Sequence, residues 1–487
     1  MNSPKLEKAR HLMGLKKYAE ALALYATMVK QFPQGGGEYG RAAADSGDFD
    51  LAFQIWEQFL RHQPGNAGLM ARLAEEYQTI GLHARARELL AKAVEIEPRN
   101  LELQLKRAAL LARTSSIDSA RAAIAQCLEL DARNPQALFL QARMQRRAGE
   151  LAQAETQLRD LLASPHSDPS VHYSIHAELA QILDSTRRFD EAMAVLAQGK
   201  ALARQAFHFA AERKAFYERH SAGVAQAVAL PKSSLEKFAA SFPTRARNAM
   251  PPVAFLSGCA RSGTTLLERI LDAHPKVAAF DESPAFKAIQ QQVESSTVQG
   301  LNLLRHRYVK NLTAGSNSSA NDRILLDKSP SRTLWLPGML RLFPDLRCLI
   351  ALRDPKDIMV SLYFQDHVGT NFLSLEELAH HYRQVMEVWL AVREWTSLTW
   401  METRYEDVVA DLPKEGARVT KFLGLEWHEN QTRFFESNLE KPVMSTNYHD
   451  VSQPVYKRAV GRWQVYEKHL APVFPVLEPF CQTFGYA

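Results

Sequence analysis

The sequence predicts two regions of different architecture: an α-helical repeat solenoid over residues 4–205 and an α/β domain with a mostly parallel sheet over residues 251–487. In the first half, small residues recur about every 34 positions, which is typical of stacked helix pairs. In the second half, short apolar runs alternate with segments of helical periodicity, which indicates a helix-covered parallel sheet. Residues 206–250 hold a looser helical pattern and several prolines, so they are predicted to be a helical or linker segment.

The repeat pattern consists of small residues paired twelve positions apart. Each pair marks the place where two antiparallel helices approach closely, because a larger side chain there would push them apart. The first members are Ala9, Gly40, Ala74, Ala108, Ala142 and Ala180, and the second members are Ala21, Ala52, Ala86, Ala120, Ala154 and Ala192. Pro33, Pro64 and Pro98 follow the first three pairs, where proline stops a helix. These units resemble tetratricopeptide repeats, and about six of them are predicted to form a concave surface of the kind that binds peptides or proteins.

Composition and charge exclude several classes of protein. A chain of 487 residues exceeds one ordinary core. The mild net charge of +5 and the lack of basic runs argue against nucleic-acid binding. The positive charge itself suits a site for an anionic ligand. The four cysteines include no C-x-x-C pair, so neither disulfides nor a zinc site is predicted and a reducing cytoplasm is expected. No apolar stretch predicts a signal peptide or a membrane span.

The α/β region opens on a phosphate-binding pattern. Val253–Leu256 is an apolar run that predicts a buried strand, and the loop after it leads into a helical pattern. Backbone N–H groups and the helix dipole favour an anion at such a helix N-terminus. The loop is P-loop-like, with the spacing G-x-x-x-x-G-T-T, but Thr264 stands where ATP- and GTP-hydrolysing enzymes carry lysine. This difference disfavours a kinase or ATPase, and Arg261 instead places a cation within the loop.

The R-S-G-T-T segment resembles the 5′-phosphosulfate loop of sulfotransferases. The resemblance extends over roughly residues 250–485 to tyrosylprotein sulfotransferases and related bacterial enzymes with tetratricopeptide repeats. It implies that 3′-phosphoadenosine 5′-phosphosulfate (PAPS) is the co-substrate, that no metal is needed, and that a loop of five residues binds it. Those residues are Arg261, Ser262, Gly263, Thr264 and Thr265. The animal members are membrane-anchored, whereas this chain shows no anchor, so a cytoplasmic enzyme of the bacterial type is expected.

The resemblance also implies the catalytic residues. Glu282, 21 residues after Arg261, takes the place of the base that removes the proton of an acceptor hydroxyl, and its neighbour Asp281 is a weaker candidate. Lys328 takes the place of the cation that stabilises the leaving oxygen. The transition-state serine of the family falls at Asn447 in this chain. Asn447 could still donate a hydrogen bond, although a register two residues away is an alternative.

Four further residues are implied to bind the nucleotide. Arg353 and Ser361, after a predicted strand, correspond to the pair that binds the 3′-phosphate, and arginine suits this role because its guanidinium binds phosphate bidentately. Tyr405 corresponds to a tyrosine that contacts the nucleotide. Arg462, before Trp463, corresponds to a basic residue on the 5′ side. The alternatives are a structural salt bridge for Arg353, a packed aromatic residue for Tyr405 and a solvated arginine for Arg462.

The prediction from the sequence is therefore a sulfotransferase that moves a sulfuryl group from PAPS to an acceptor hydroxyl. A peptide tyrosine is one candidate acceptor, and a protein, sugar or small-molecule hydroxyl is another. The repeats would bind the acceptor, a partner protein or a second copy of the chain. The alternative is a repeat scaffold that carries an inactive nucleotide-binding module.

Overall fold

The computed structural model confirms the predicted fold class, with helical repeats followed by an α/β domain that contains a parallel sheet. The described residues are 4–15, 17–28, 36–114, 116–164, 169–206, 218, 221–225, 227, 229, 250–314, 322–366, 373–395, 398–437, 455 and 457–486. Most of the predicted linker therefore lies outside the described residues, as does Asn447.

The first half forms six antiparallel helix pairs. The helices are α1 (Pro4–Gly14), α2 (Tyr18–Met28), α3 (Gly36–Asp45), α4 (Phe49–His62), α5 (Ala67–Thr79), α6 (His83–Ile96), α7 (Leu101–Thr114), α8 (Ile117–Leu130), α9 (Pro135–Arg147), α10 (Leu151–Ala163), α11 (Pro169–Ser185) and α12 (Phe189–Ala206). Side-chain caps fix several starts; for example, the Asp48 carboxylate accepts a hydrogen bond of 3.0 Å from the backbone N–H of Leu51. Helix boundaries thus follow local sequence signals.

The predicted small residues lie where the paired helices meet. All eleven alanines of the pattern are fully buried. At the remaining position, Gly40, an added Cβ would lie only 2.0 Å from the indole nitrogen of Trp56. Because Trp56 is itself fully buried, the second pair has no room for any side chain at residue 40. The spacing pattern in the sequence therefore reports steric limits between helices.

The second half is built on a five-stranded sheet. Its strands are β1 (Val253–Gly258), β2 (Val277–Asp281), β3 (Ile324–Lys328), β4 (Arg347–Leu352) and β5 (Thr399–Arg404). All strand pairs are parallel and the order is β2-β3-β1-β4-β5. Strand β1 is central and all six of its residues are buried. Since the strands are parallel, the loops that follow them all emerge at one carboxyl edge, where ligands bind in open α/β sheets.

Helices surround the sheet and close the domain. They are α13 (Thr264–Asp272), α14 (Ala285–Ser295), α15 (Val298–Leu312), α16 (Leu336–Leu342), α17 (Pro355–Tyr363), α18 (Leu375–Val392), α19 (Tyr405–Ala410), α20 (Leu412–Phe422), α21 (Phe434–Ser437), α22 (Glu467–Leu470) and α23 (Phe474–Phe484). Short 3₁₀ turns occupy Thr333–Trp335, Glu429–Gln431, Arg462–Tyr466 and Ala471–Val473. In the described part of the chain, no helix combines the length and hydrophobicity needed to cross a membrane.

The repeats pack directly against the α/β domain. Near the N-terminal end of the array, the Asn311 side chain of α15 donates a hydrogen bond of 3.0 Å to the carbonyl of Gly47. Near its C-terminal end, Gln181 donates to the carbonyl of Phe364 at 3.0 Å. One hydrophobic core contains buried residues from both halves. The two regions therefore share an interface at both ends of the solenoid.

Candidate active site at the carboxyl edge of the sheet

The loop after β1 depends on two glycines. Gly258 has φ of +126°, and an added Cβ would lie 2.3 Å from the carbonyl oxygen of Ala351 in β4. Gly263 has φ of +94° and precedes α13, and an added Cβ would lie 2.7 Å from the ring of Tyr405. Glycine relieves both the backbone strain and the close approach. The loop is therefore held tightly between β4 and the start of α19.

The predicted nucleotide residues surround this loop. The Arg261 guanidinium donates a hydrogen bond of 2.8 Å to the hydroxyl of Ser361 in α17. Arg353, at the end of β4, donates to the carbonyl of Arg261 at 3.2 Å and lies over the ring of Tyr405, 4.9 Å from its centroid. The fold thus brings together Arg261, Gly263, Arg353, Ser361 and Tyr405 at one end of the sheet.

A second loop, after β3, is bonded to the first. The Ser331 hydroxyl accepts a hydrogen bond of 2.9 Å from the backbone N–H of Ala260, and the Ser257 hydroxyl donates to the carbonyl of Ser329 at 2.9 Å. These bonds place Lys328, the last residue of β3, beside the phosphate loop. The two loops therefore form one continuous surface.

Lys328 is fully buried among three carboxylates. Its ammonium group contacts the Asp281 carboxylate directly and lies 3.8 Å from the carboxylates of both Glu268 and Glu282. Burial alone would lower the pKa of Lys328, but Asp281, Glu268 and Glu282 outweigh burial and raise the pKa. Lys328 therefore stays protonated and holds the ends of β2 and β3 together.

Glu282 differs from Asp281 in its access to solvent. The Glu282 side chain is 48% exposed, whereas that of Asp281 is 11% exposed and engaged by Lys328. Nevertheless, desolvation by the surrounding protein raises the pKa of Glu282. The positive charge of Lys328 opposes that rise, and the negative charge of Asp281 adds to it. A solvent-accessible carboxylate with a raised pKa is suited to accept a proton. Of the two neighbours, Glu282 has the properties that a base requires.

Non-glycine residues adopt left-handed backbone conformations at three places in these loops. They are Arg261 (φ +74°), Glu282 (φ +50°) and Ser331 (φ +57°). Such conformations cost about 1–3 kcal/mol each and concentrate at functional sites. The Glu282 backbone N–H also donates 2.8 Å to the carbonyl of Lys328, which fixes the strained turn. The strain indicates that the fold holds these side chains in defined positions.

The site also has hydrogen-bonding capacity that the described protein groups leave unused. Among the described residues, the buried Ser262 hydroxyl and the Arg353 Nε find no hydrogen-bond partner. A buried polar atom without a partner costs about 1–3 kcal/mol. Both atoms belong to the predicted nucleotide-binding set, so an anionic ligand such as a phosphorylated nucleotide fits the loop.

Two further residues predicted for the site are Arg462 and Asn447. The Arg462 guanidinium lies 2.9 Å from the carboxylate of Asp184 in the repeats and stacks on the rings of Phe364 and Tyr466. These contacts anchor the C-terminal segment to the solenoid, and the nucleotide role of Arg462 stays a prediction. The prediction for Asn447 falls outside the described residues.

Sequence reasoning missed Arg332. This residue follows the β3 loop and lies over the Trp335 ring at 5.2 Å. Burial lowers the pKa of Arg332, and the negative charge of Glu282 opposes that effect. The only sequence signal was the proximity of Arg332 to Lys328 along the chain.

Comparison with known proteins gives separate family matches for the two halves. Residues 252–429 match the family described as "Sulfotransferase family", and residues 67–100 and 105–169 match tetratricopeptide repeats. The sulfotransferase match thus lies within the α/β domain, and the repeat matches lie within the helical half.

Individual relatives are distant. An uncharacterized protein of Aquifex aeolicus is 23% identical over 420 residues, which cover 81% of this chain and 52% of that protein. Protein-tyrosine sulfotransferase A of Caenorhabditis elegans is 25% identical over 243 residues, which cover 44% of this chain and 62% of that protein. The chain thus spans less than two thirds of either relative. The sulfotransferase domain of a Synechococcus olefin synthase aligns over 48% of this chain and 96% of that domain, with 18% identity and a TM-score of 0.34.

Proposed function

We propose that the protein is a sulfotransferase that transfers a sulfuryl group from PAPS to an acceptor hydroxyl. The observation that carries this proposal is the arrangement of Arg261, Arg353 and Ser361 around a phosphate-type loop whose lysine position is Thr264. The match to the sulfotransferase family supports the same reaction.

The donor would lie along the loop after β1. Arg261 and the N–H groups at the start of α13 would bind the sulfate and 5′-phosphate, and Arg353 with Ser361 would bind the 3′-phosphate. The 2.8 Å bond between Arg261 and Ser361 makes these two subsites adjacent. Tyr405, packed on Gly263 and under Arg353, would present its ring to the nucleotide.

The reaction would be an in-line transfer. The acceptor oxygen forms a bond to sulfur, and the bond between sulfur and the bridging phosphate oxygen breaks. Glu282 takes the proton of the acceptor hydroxyl, while Lys328 stabilises the negative charge on the leaving oxygen. The products are a sulfate ester and adenosine 3′,5′-bisphosphate. Such transfer depends mainly on positioning and electrostatic stabilisation, which fits a site made of fixed charges.

A peptide tyrosine is the proposed acceptor class, because distant relatives are named protein-tyrosine sulfotransferases. Tetratricopeptide repeats beside the site are compatible with a peptide acceptor. A scaffold with an inactive nucleotide module is the second candidate. It is less well supported because Glu282 is accessible and carries a raised pKa.

The test is transfer of ³⁵S from labelled PAPS to tyrosine-containing peptides and to 4-nitrophenol. We expect the wild-type protein to release one bisphosphate per labelled product. Glu282→Gln should lower turnover by about 10²–10⁴-fold, which is the usual contribution of a general base. Glu478→Gln, on the exposed face of α23, is the matched control and should retain wild-type turnover.

Binding of the bisphosphate should survive in Glu282→Gln, since this residue acts on the acceptor. Near wild-type turnover in that variant would remove Glu282 from the role of base. Binding of the bisphosphate without any transfer by the wild-type protein would favour the scaffold.

A further inference from the structure

Helix α17 carries Ser361 of the candidate donor site, and side chains of the repeats bind the C-terminal end of this helix. Gln181 of α11 donates a hydrogen bond of 3.0 Å to the carbonyl of Phe364, directly after the helix. The Tyr173 hydroxyl, also from α11, donates to the carbonyl of Gln365 at 3.2 Å. Carbonyls at the C-terminal end of a helix lack partners within the helix, so donors from elsewhere stabilise that end. Here the donors come from the last helix pair of the array.

The next residue, Asp366, adds an ionic contact to the same end. Its carboxylate accepts a hydrogen bond of 2.9 Å from the Ser174 hydroxyl and pairs with Arg143 of α9 at 2.5 Å. The Arg143 guanidinium also donates to the buried Glu178 carboxylate at 3.0 Å. Because the Arg143 and Asp366 side chains are only 21% and 18% exposed, solvent screens their attraction less than that of a surface pair. The repeats therefore bind three consecutive residues that follow α17.

A chain of hydrogen bonds leads from the repeats to Ser361. The buried ammonium group of Lys200, in α12, donates to the Tyr173 hydroxyl at 3.3 Å, and that hydroxyl donates to the Gln365 carbonyl. The Gln365 side chain donates to the carbonyl of Ser361 at 3.2 Å. The Ser361 hydroxyl in turn accepts the bond of 2.8 Å from Arg261. Direct contacts thus connect the last repeat to the phosphate loop.

Lys200 also lies at the end of α17. Its ammonium group is 4.8 Å from the ring centroid of Tyr363, which is the last residue of the helix. A positive charge near a helix C-terminus interacts favourably with the helix dipole, and an aromatic ring attracts a cation placed over its face. Both interactions offset the cost of burying the Lys200 charge. The repeats therefore bring a cation as well as hydrogen-bond donors to this helix end.

The N-terminal end of α17 is connected to the repeats through the C-terminal segment of the chain. The Asp357 carboxylate accepts hydrogen bonds of 2.8 Å from the backbone N–H groups of both Gly461 and Trp463. Between these two residues, Arg462 lies 2.9 Å from the carboxylate of Asp184 in α11. Contacts at both ends of α17 thus lead to the same repeat helix.

The contacts at the other end of the solenoid differ in this respect. There, Asn311 donates to the carbonyl of Gly47 at 3.0 Å, and Gln292 donates to the carbonyl of Ser46 at 3.2 Å. Asn311 and Gln292 belong to α15 and α14, and none of the residues proposed for the site lies in these two helices. An interface that served cohesion alone could consist entirely of such contacts. The contacts of α9, α11 and α12 instead end on the helix that presents Ser361.

We propose that the last two repeats position the donor site, with Arg143, Tyr173 and Gln181 holding α17 so that Ser361 meets the 3′-phosphate of the donor. The inference rests on the proposed sulfotransferase function and extends it to residues outside the α/β domain. The three repeat residues are positioning residues, because they act through α17. If a loosened α17 left about a tenth of the molecules with Ser361 in place, the apparent Kd for a 3′-phosphorylated ligand would rise about tenfold.

The test compares two nucleotides that differ by the 3′-phosphate. Adenosine 3′,5′-bisphosphate and AMP are titrated by calorimetry into the full-length wild type and three variants. The double variant Tyr173→Phe/Gln181→Met removes both hydrogen bonds to the carbonyls after α17 with little change in side-chain volume. Ser174→Ala removes one hydrogen bond to Asp366 and keeps the test available if the double variant fails to fold. Asn311→Ala is the matched control, because it removes a buried hydrogen bond at the other end of the interface.

We expect the double variant to weaken bisphosphate binding by about three- to tenfold, the factor that corresponds to loss of a typical hydrogen bond. The affinity for AMP should change little, so the preference for the bisphosphate over AMP falls. Ser174→Ala should shift this preference in the same direction by a smaller factor. Asn311→Ala should keep the wild-type preference, even where urea denaturation shows that it loses as much stability as the other variants.

An unchanged preference in both repeat variants would overturn the inference. So would an equal loss of affinity for both nucleotides, or the same change of preference in Asn311→Ala, since either result would indicate general loosening of the protein. A wild-type protein that binds the bisphosphate no better than AMP would instead refute the donor site of the proposed function.

Discussion

The residues at buried positions differ in chemical character between the repeat helices and the carboxyl edge of the sheet. Between paired repeat helices, the residues at closest approach are fully buried alanines and one glycine. At the carboxyl edge, the buried residues include Lys328 and Arg353, and strained backbone occurs at Arg261, Glu282 and Ser331. Small apolar contacts stabilise a fold at little cost, whereas buried charge and strain persist where the surrounding structure holds them for a purpose. The contrast supports the proposed location of the site at the carboxyl edge of the sheet.

Removal of Lys328 should have the largest effect on stability. Lys328→Met would leave the Asp281 carboxylate buried without its cation and should lower the free energy of unfolding by about 3–5 kcal/mol. Urea denaturation measures this loss. The control Lys468→Met, whose side chain is 66% exposed, should cost less than about 1 kcal/mol. Similar stabilities for the two variants would mean that the buried charges at the edge are not coupled.

Replacement of Arg353 tests the ligand-binding side of the comparison. Arg353→Ala should weaken binding of adenosine 3′,5′-bisphosphate by about 10–100-fold, because a charge-assisted hydrogen bond is worth about 1.5–3 kcal/mol. Calorimetry on the folded variant provides the dissociation constant. Arg433→Ala, an exposed arginine of the same domain, is the control. Unchanged affinity in Arg353→Ala would exclude this residue from the donor site.

Addition of one methyl group at Gly40 tests the close packing between the repeat helices. Gly40→Ala should destabilise the protein by about 1–3 kcal/mol, because its Cβ would collide with Trp56. Helix propensity alone predicts the opposite sign, since alanine favours helices by about 1 kcal/mol over glycine. Gly37→Ala, in the same helix with no atom within 4 Å, should be neutral or slightly stabilising. Thermal unfolding distinguishes the two, and bisphosphate affinity should stay unchanged in both.

The smallest effect concerns pH. Burial raises the pKa of Asp327 to about 6, and hydrogen bonds from the Tyr308 and Ser329 hydroxyls partly oppose the rise. The folded state therefore binds more protons than the unfolded state between about pH 4 and pH 6, and this group makes stability fall as pH rises through that window. Asp327→Asn should remove a slope of at most about 1.4 kcal/mol per pH unit. Urea denaturation of the wild type and Asp327→Asn at pH 4, 5 and 6 measures this slope. The same pH dependence of stability in both proteins would contradict a raised pKa of Asp327.

Much of the fold could be predicted from the sequence because its signals are local. The alanine spacing predicted where paired helices contact each other. The apolar runs before Arg261 and Arg353 form β1 and β4 in the structure. The residues proposed for the site that follow these strands lie at one edge, since parallel strands place the loops that follow them on the same side of the sheet.

Contacts between distant segments could not be read in the same way. The pairing of Lys328 with Asp281 and the contact of Arg462 with Asp184 depend on how separate elements pack. The residue pattern of one segment does not predict which charged side chain of another segment will pack beside it. Sequence reasoning could therefore propose residues for the edge of the sheet, but not their partners from distant segments.

The most direct test of the central claim is the thermal shift of the purified protein with adenosine 3′,5′-bisphosphate, compared with ADP and Mg-ATP. At about 100 times its dissociation constant, a ligand specific for the folded state adds about 2.7 kcal/mol of stability. The account predicts a clear increase in Tm with the bisphosphate and little or none with ADP or Mg-ATP. A larger increase with Mg-ATP, or no increase with the bisphosphate, would contradict a donor site built from Arg261, Arg353 and Ser361.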